Sequence, residues 1–422
     1  MDAVPPARAE AIGETTPHPT VRTVLRRLSP TARRLIVCRA ARSVGQGALT
    51  ADFAFYLAAL HWTTVQMGAI YMGGLMFGAV ITLFSGPLSD AVGRKPFLIG
   101  YGIAQIVAAL VALLTAQPLW LIAASVIGAF GRGANGAAGP FGPVEQAWLS
   151  DGLAESDFGL VYSINSAVGF GGMATGAAIA ALPPLWRHSL PGALSYRPLF
   201  LVVLIGALIT LVLLFRMTET RKPRVDRGAS RVASAERRHE RSMLLRLIGI
   251  NTLNGLAIGI IGPFMAFWFH LRFGEGPGAI GPVMALGFVA AALASLWTGW
   301  LTRRLGAALS VVTMRLAGLV LLVTMPFAPS YGIAAACYVL RAAFNQGTSG
   351  ARQAVGLRLV GTGRRGLAAS LNAASMQVPR AFGPVLGGLL LETNLLALPL
   401  LLAASLQAVY LALYTLAFRR IE

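Results

Sequence analysis

The sequence predicts an all-α polytopic membrane protein with twelve transmembrane helices arranged as two six-helix bundles. The first observation is composition: 56% of the 422 residues are hydrophobic and 12% are charged, with a mean hydropathy of +0.67. Soluble domains have an apolar share nearer ~45–50%. The second observation is that the apolar residues form runs of about 20, the length that a helix needs to cross a bilayer. The third is that the charges lie between these runs.

The apolar runs fall into two groups of six, separated by an arginine-rich stretch. The first bundle is predicted over 34–217 and the second over 244–418, joined by a cytoplasmic linker at 218–243. A cytoplasmic tail at 1–33 precedes the bundles, and a short cytoplasmic segment at 419–422 follows them. The predicted spans of the first bundle are 34–59, 65–86, 97–116, 119–148, 159–183 and 198–217. The predicted spans of the second bundle are 244–270, 278–301, 308–328, 331–356, 367–391 and 395–418.

Two internal repeats support the division into halves. Gly159–Ala167, at the start of the fifth span, shares a glycine, leucine, serine, asparagine and alanine in register with Gly366–Ala374, at the start of the eleventh. Gly299–Gly306, after the eighth span, likewise repeats the glycines and the leucine of Gly86–Gly93, after the second. Duplicated helical bundles of this kind have a solute site at their interface. The repetition therefore predicts a central site between the bundles.

The distribution of charge predicts the orientation in the membrane. The formal net charge is +19, and most of the Lys and Arg residues lie on the side of the N-terminal tail and the linker. Cationic loops are retained in the cytoplasm, so an even number of spans places both termini there. These cations flank apolar spans instead of forming one basic face, which argues against a nucleic-acid partner. We expect a monomer in the cell or inner membrane whose partners are the lipid bilayer and a small-molecule substrate.

A short segment between the second and third spans carries the most specific pattern in the chain. Gly86–Pro96 places two glycines, a carboxylate and two adjacent cations between apolar runs. It fits the pattern G-x-L-x-D-x-x-G-R-R/K and resembles the loop between the second and third helices of the major facilitator superfamily. The resemblance implies two bundles that rock about a central site, with this loop as a gate. The matching residues are Gly86, Leu88, Asp90, Gly93, Arg94 and Lys95.

The same resemblance implies partners for the gate. In the family an acid near the cytoplasmic end of the fourth helix pairs with the arginine of the pattern, so Glu145 or Asp151 is the expected partner of Arg94. Asp90 can accept hydrogen bonds from free backbone N–H groups at a helix start, and we expect it to cap the eleventh span. These contacts would break and re-form as the transporter changes state.

The fourth span contains a second match to the family. Gly131–Gly136 is similar to the pattern R-x-x-Q-G, with Asn135 in place of glutamine, and the resemblance associates Arg132 with proton-driven transport. Arg132 lies about 13 residues into its span, or ~20 Å, so neither membrane surface is easily reached. The alternative is that Arg132 only braces the first span. Both roles are compatible if Arg132 contacts Asp52.

The first span carries a polar stripe suited to face a water-filled cavity. Arg42 and Gln46 fall on one line at helical spacing, with Asp52 and Tyr56 at its edge. Asp52 is the only acidic residue well inside a predicted span, and a carboxyl sequestered from bulk water can take up and release protons near neutral pH. Asp52 is therefore a candidate proton carrier. The alternative is a structural hydrogen bond to a neighbouring helix.

The second half adds polar residues at the same depth. Asn254 lies in the seventh span, Arg341 and Asn345 align in the tenth, and Arg380 lies midway along the eleventh. Arg341 and Arg380 join Arg42 and Arg132 of the first half as four deep cations. A cavity that all four faced would favour an anion. The alternative is that some pair with backbone carbonyls or extend to the membrane surface. The residues expected to contact substrate are Arg42, Gln46, Tyr56, Asn135, Asn254, Arg341, Asn345 and Arg380.

These features predict a secondary active transporter that works by alternating access, not an enzyme. The leading interpretation is proton-coupled export of a small amphipathic organic solute or drug, which resembles the drug–proton antiporter branch. That branch usually has G-x-x-x-G-P-x-x-G-G in the fifth span, and the proline is missing here. An alternative is proton-coupled transport of an organic anion through the arginine-lined cavity.

A non-transporting sensor or a membrane-embedded enzyme is the competing class. The five histidines are scattered along the chain, whereas an enzyme would need clustered catalytic groups. No Walker A sequence is present, which disfavours direct coupling to ATP. We expect neither a cofactor nor a metal, with the proton gradient as the energy source.

Overall fold

The computed structural model describes residues 28–133, 139, 141–149, 151, 153, 158–219, 234–305, 307–348 and 365–418. All regular secondary structure within these residues is helical, which confirms the predicted fold class. The first half contains α1 (Pro30–Ala59), α2 (Thr64–Val92), α3 (Arg94–Leu114), α4 (Pro118–Gly128), α5 (Phe141–Leu149), α6 (Phe158–Ile179) and α7 (Pro198–Phe215). The second half contains α8 (Ser234–Ile261), α9 (Met265–Phe273), α10 (Pro277–Leu305), α11 (Ala307–Thr324), α12 (Tyr331–Gly347), α13 (Arg365–Glu392) and α14 (Leu398–Phe418).

Many of the described helices can cross a membrane. Seven of them are long and apolar enough, and the bent pair of α8 and α9 makes an eighth span if it is counted as one. By length and composition, the described helices therefore account for at most eight of the twelve predicted spans. Among the others, α1 and α13 are long but more polar, and the described part of α12 has 17 residues. The seven helices are α2, α3, α6, α7, α10, α11 and α14.

Within each half the helices pack closely where glycine removes the side chain. In the first half α1 packs against α6 and α7, and in the second half α8 packs against α13 and α14. A Cβ on Gly176 of α6 would overlap the main-chain oxygen of Val44, and a Cβ on Gly47 of α1 would overlap that of Met173. Small residues at such contacts let helix backbones approach each other in a membrane.

The two halves contact each other at the end where α1 finishes and α2 begins. There α2 packs against α13, and α6 packs against α10. The Thr64 hydroxyl donates a hydrogen bond of 2.8 Å to the main-chain oxygen of Gly388. The Phe55 ring lies 5.7 Å from the Phe267 ring in an edge-on arrangement. The halves are therefore closed against each other at the end opposite the start of α1.

Two of the predicted spans are interrupted in the structure. The fourth span, 119–148, ends its first helix at Gly128, and Ala129, Gly131 and Gly133 follow with φ of 50°, 65° and 86°. A right-handed helix does not accept these left-handed values. The seventh span, 244–270, is bent by 46° between α8 and α9. Pro263 stands in this break, and proline lacks the N–H that a continuing helix would use.

The predicted link at Gly86–Pro96 also differs from expectation. The α2 helix continues through Asp90 to Val92, so Asp90 does not stand at the start of a helix. The reversal is confined to Gly93, whose φ of 107° favours glycine, and α3 begins at Arg94. Gly86 lies within α2, and the side chains of Asp90 and of the start of α13 lie outside the described part of the structure. The predicted contact between Asp90 and the eleventh span therefore stays a prediction.

Candidate functional site

The two helix breaks face each other near the middle of the molecule. One break follows α4, in the first half, and the other separates α8 from α9, in the second half. A Cβ on Gly133 would lie 3.2 Å from the carbonyl carbon of Gly262 and 3.3 Å from the nitrogen of Pro263. Unwound backbone at membrane depth is tolerated where protein or a water-filled cavity surrounds it, and transporters use it at substrate sites. The paired breaks therefore mark the candidate solute path between the halves.

A hydrogen bond joins the halves at these breaks. The Nη2 atom of Arg380 on α13 donates to the main-chain oxygen of Arg132 at 2.5 Å. Pairing with a backbone carbonyl was the alternative to substrate contact for the deep arginines, and Arg380 forms such a pair. Within the described residues, the Nε and Nη1 atoms of Arg132 are buried without a hydrogen-bond partner, as are both carboxyl oxygens of Asp52. The structure therefore does not bring Arg132 and Asp52 into contact.

Arg42, predicted to contact substrate, is paired inside the first half. Its Nη2 atom lies 2.8 Å and 2.7 Å from the two carboxylate oxygens of Glu145 on α5. The guanidinium also lies over the Phe141 ring, 4.0 Å from its centre. The side chains of Arg42 and Glu145 are 9% and 2% exposed. Because Glu145 neutralises Arg42, this arginine does not add a free positive charge to a central cavity.

The polar stripe of α1 continues from this pair towards the closed end of the molecule. Gln46, Asp52 and Tyr56 each have a buried polar atom that lacks a hydrogen-bond partner among the described residues. Asp52 and Tyr56 are both 1% exposed. Next to Asp52, the Phe53 ring packs edge-on against Tyr71, 5.9 Å away. The stripe thus places a carboxyl, an amide and a phenol beside a cluster of aromatic rings.

Residues of the second half line a cavity of about 90 Å³. Three of the residues expected to contact substrate line it, namely Arg341, Asn345 and Arg380, and their contact with substrate stays a prediction. Asn254 is not among the described lining residues and accepts a 2.7 Å hydrogen bond from Arg315. Its described lining residues belong to α8, α9, α11, α12, α13 and α14, except Gly262, which stands in the break between α8 and α9. The described lining residues are Ile258, Ile261, Gly262, Met265, Arg315, Tyr338, Arg341, Ala342, Asn345, Gln346, Arg380 and Gln407.

The expected gate residues lie at the opposite end of the first half from the contact between the halves. Of the two expected partners, Asp151 contacts Arg94 through an ion pair, whereas Glu145 binds Arg42. Leu88 is exposed, and Gly93 forms the reversal between α2 and α3. Asn135 lies outside the described residues, so its predicted contact with substrate stays a prediction.

Lys95 and Glu219 form a reciprocal clamp between α3 and α7. The two carboxylate oxygens of Glu219 accept from the backbone N–H groups of Arg94 and Lys95 at 2.8 Å and 3.0 Å. The Lys95 ammonium donates to the main-chain oxygens of Phe215 and Met217 at 3.1 Å and 2.7 Å. Each side chain thus satisfies the open backbone groups at the end of the other helix, which complements the helix dipoles.

Sequence reasoning missed three residues of this arrangement. Glu219 gave no signal, because its partners are backbone groups more than 120 positions away. Arg39 and Arg315 are buried, at 4% and 5% exposure. Both are arginines inside predicted spans, so the rule that identified the other deep cations would have found them. Within the described residues, no three His, Cys, Asp or Glu side chains come together as a metal site.

Comparisons with known proteins give a family and a fold. The sequence matches the model of the Major Facilitator Superfamily over residues 35–247, just over half of the 422-residue chain. No curated protein matches it.

Solved transporters have the same fold at low identity. A mutant of the nucleoside transporter NupG superposes with a TM-score of 0.68 at 13% identity, over 92% of this chain and 100% of that chain. A bacterial homologue of the human lysosomal transporter Spinster, inward-facing and occupied, gives 0.65 at 15% identity, over 92% and 96%. A bacterial homologue of the iron transporter ferroportin, outward-facing, gives 0.63 at 16% identity, over 93% and 100%.

Proposed function

Since this chain belongs to the Major Facilitator Superfamily, we propose that it is a proton-coupled secondary transporter that exports a small amphipathic organic solute by alternating access. Membership of the family makes it a transporter and not an enzyme. Proton coupling, the direction of transport and the class of solute are the proposed parts. Proton coupling and the class of solute are each supported by a feature of the structure, and the direction of transport rests on the sequence resemblance to the drug–proton antiporter branch.

The environment of Asp52 is the observation that carries the proposal. The residue is 1% exposed, and neither carboxyl oxygen has a hydrogen-bond partner among the described residues. An isolated carboxylate is very costly to bury in an apolar environment, so the group becomes neutral instead. Asp52 therefore holds a proton in this conformation and can release it when the halves rearrange and water reaches it. This is the behaviour that a proton carrier needs.

The position of Asp52 suits a group that takes up protons from the outside. It lies seven residues before the end of α1, or roughly 10 Å along the helix axis. With both termini in the cytoplasm, as proposed, this end of α1 faces the outside, where the halves close against each other. Opening of that end would expose Asp52 to protons from outside. In the proposed antiport, protons that enter there and leave on the cytoplasmic side drive the solute outward.

The surroundings of the helix breaks support an amphipathic solute. Arg132 follows Gly131, whose Cβ would touch the Tyr71 ring. The Tyr71 and Phe264 rings pack edge-on with centres 5.3 Å apart across the two halves. A path of this kind offers hydrogen bonds to one part of a solute and apolar contacts to another.

Transport of an organic anion is the second candidate, and the arginines of the cavity in the second half favour it. The size of the cavity argues against it. Sites for organic ligands occupy roughly 300–1,000 Å³, whereas this cavity has about 90 Å³. This cavity alone therefore does not hold an organic solute, and we place the solute at the facing helix breaks, where Gly262 and Arg380 also line the cavity.

The test is transport by the purified full-length protein in proteoliposomes under an imposed pH gradient. A panel of lipophilic cations, neutral amphipathic compounds and organic anions would be offered, with protein-free liposomes as the control. We expect movement of an amphipathic solute that is coupled to protons and reverses when the gradient is reversed. A response to organic anions alone would favour the second candidate. Absence of gradient-driven movement for every compound would refute the proposal.

A further inference from the structure

Three cations gather where α1 begins and α7 ends. The Arg34 guanidinium of α1 donates to the main-chain oxygen of Arg216, and the Lys95 ammonium donates to those of Phe215 and Met217. Arg216 follows the last residue of α7 and is exposed. Arg34 and Lys95 therefore satisfy open carbonyl groups of α7, which complements the negative end of its dipole. The result is a concentration of positive charge at one end of the first half.

Close packing of α1 against α7 sets this arrangement. A Cβ on Gly206 of α7 would overlap the main-chain oxygen of Ala41 on α1, 2.5 Å away. Small residues let helix backbones approach each other in a membrane, so Arg34 and Arg216 at the ends of the two helices become neighbours. Two like charges that the backbone holds together favour an anion at the same place.

The carboxylate of Glu219, which follows α7 in the chain, is already engaged. Its two oxygens accept from the backbone N–H groups of Arg94 and Lys95. Within the described residues, neither Arg34 nor Arg216 forms an ion pair with an acid. Each guanidinium has five N–H donors in a planar fork. Both arginines therefore keep donors for an anion that comes from outside the described chain.

Exposed apolar side chains continue from these cations along α7. They recur at helical spacing on one face, and each is between 43% and 59% exposed. Fourteen positions separate the first from the last, or roughly 21 Å along the helix, which exceeds the ~15 Å depth of one bilayer leaflet. Because α7 belongs to a segment that can cross a membrane, this row faces acyl chains. The residues of the row are Leu201, Ile205, Leu208, Ile209, Val212 and Phe215.

We propose that an anionic phospholipid binds at this end of the first half, with its headgroup on Arg34 and Arg216 and an acyl chain along the exposed row of α7. Guanidinium forks match phosphate oxygens, and basic sites between transmembrane helices bind acidic lipid headgroups. The adjacent apolar row favours a lipid over free phosphate, and the surplus of cations favours an anionic headgroup over a zwitterionic one. The lipid is a bound partner and not the transported solute, so this site does not rest on the function proposed above.

Thermal unfolding of the purified, delipidated full-length protein in detergent tests the choice of lipid. Phosphatidylglycerol, phosphatidylcholine with the same acyl chains, and sodium phosphate would be added separately at constant ionic strength. Because a ligand that binds only the folded state stabilises it by mass action, phosphatidylglycerol should raise the apparent Tm saturably and at lower concentration than phosphatidylcholine. Equal effects of the two lipids would overturn the proposal. An equal rise with sodium phosphate would assign the site to a free anion and also overturn it.

Three arginine variants locate the effect. Arg216→Gln should shift the phosphatidylglycerol dependence about fivefold to higher concentration, because each cation near the headgroups contributes an attraction of that order. Arg272→Gln is one control, since Arg272 is exposed on α9, at the closed end of the molecule. Arg224→Gln is the second control and removes one cation of the predicted linker. An unchanged dependence in Arg216→Gln, or an equal shift in either control, would contradict the proposal.

A measurement on the wild-type protein covers the case in which Arg216→Gln does not fold. Native mass spectrometry with phosphatidylglycerol and phosphatidylcholine in equal amounts should show that the protein retains phosphatidylglycerol preferentially as the detergent is removed. Equal retention of the two lipids would refute the site.

Discussion

Arg380 donates a hydrogen bond to the main-chain oxygen of Arg132, and this bond connects the two halves of the molecule at their facing helix breaks. The donor is charged, and hydrogen bonds to charged groups contribute about 1.5–3 kcal/mol. If the halves separate around a central site, this bond must be lost in one of the two states. The hydrogen bond of Arg380 therefore couples the conformation of one half to that of the other.

Arg380→Gln should loosen the break that follows α4. We expect faster hydrogen exchange of the backbone amides at 129–133, because Arg132 loses the partner that holds its main chain. Exchange of α3, which does not contact Arg380, should stay as in the wild type. Arg272→Gln is the control for the loss of one positive charge. Unchanged exchange at 129–133 in Arg380→Gln would show that this bond does not hold the halves together.

The pair of Arg42 and Glu145 should contribute to stability through mutual neutralisation. Each of the changes Arg42→Gln and Glu145→Gln leaves one charge buried without its partner, and breaking a buried pair costs about 3–5 kcal/mol. The double variant should cost less than the sum of the two single variants. The measurement is a double-mutant cycle of unfolding free energies in detergent. Additive effects would mean that the two charges do not interact in the folded protein.

Glu219→Gln should weaken the junction between α3 and α7. The carboxylate accepts from two backbone N–H groups at the start of α3, and loss of a helix cap costs about 0.5–2 kcal/mol. We expect a lower apparent Tm for Glu219→Gln. Glu275→Gln is the control, because Glu275 lies in the loop before α10 and caps no helix with its described contacts. A Tm equal to that of the wild type would remove Glu219 from the clamp.

Two glycines of α6 provide a matched pair for helix packing. A Cβ on Gly176 would overlap the backbone of α1 at Val44, whereas a Cβ on Gly171 would meet no atom within 4 Å. Overpacking a tight contact costs about 1–3 kcal/mol or more. Gly176→Ala should therefore lower the yield of monodisperse protein and its Tm, and Gly171→Ala should leave both unchanged. Equal behaviour of the two variants would contradict the close packing of α1 and α6.

The sequence allowed prediction of those features that depend on composition along one helix. Apolar runs identified the helices, and the positive charges between them separated the two halves. The reversal between the second and third spans was predicted within Gly86–Pro96, and the structure confines it to Gly93. Asp90 continues α2 because Gly93 alone is enough for the turn. Hydropathy does not distinguish a straight span from one that is broken at glycines, so the breaks at Gly131 and Pro263 were missed.

Contacts between residues of different helices could not be predicted from the sequence. Glu145 and Asp151 were both reasonable partners for Arg94, and the choice between them depends on how α5 packs against α1. Four deep arginines suggested one cavity, but Arg42 is neutralised by Glu145 and is absent from the described lining. Periodicity places a residue on a face of its own helix and says nothing about the helix that covers this face.

The proton-carrying role of Asp52 is tested most directly by Asp52→Asn in proteoliposomes. This variant should abolish solute movement driven by a pH gradient while solute exchange without a gradient continues, because asparagine cannot carry a proton. Glu392→Gln, an equivalent change at an exposed helix end, should keep gradient-driven movement. Full pH coupling in Asp52→Asn would contradict the account.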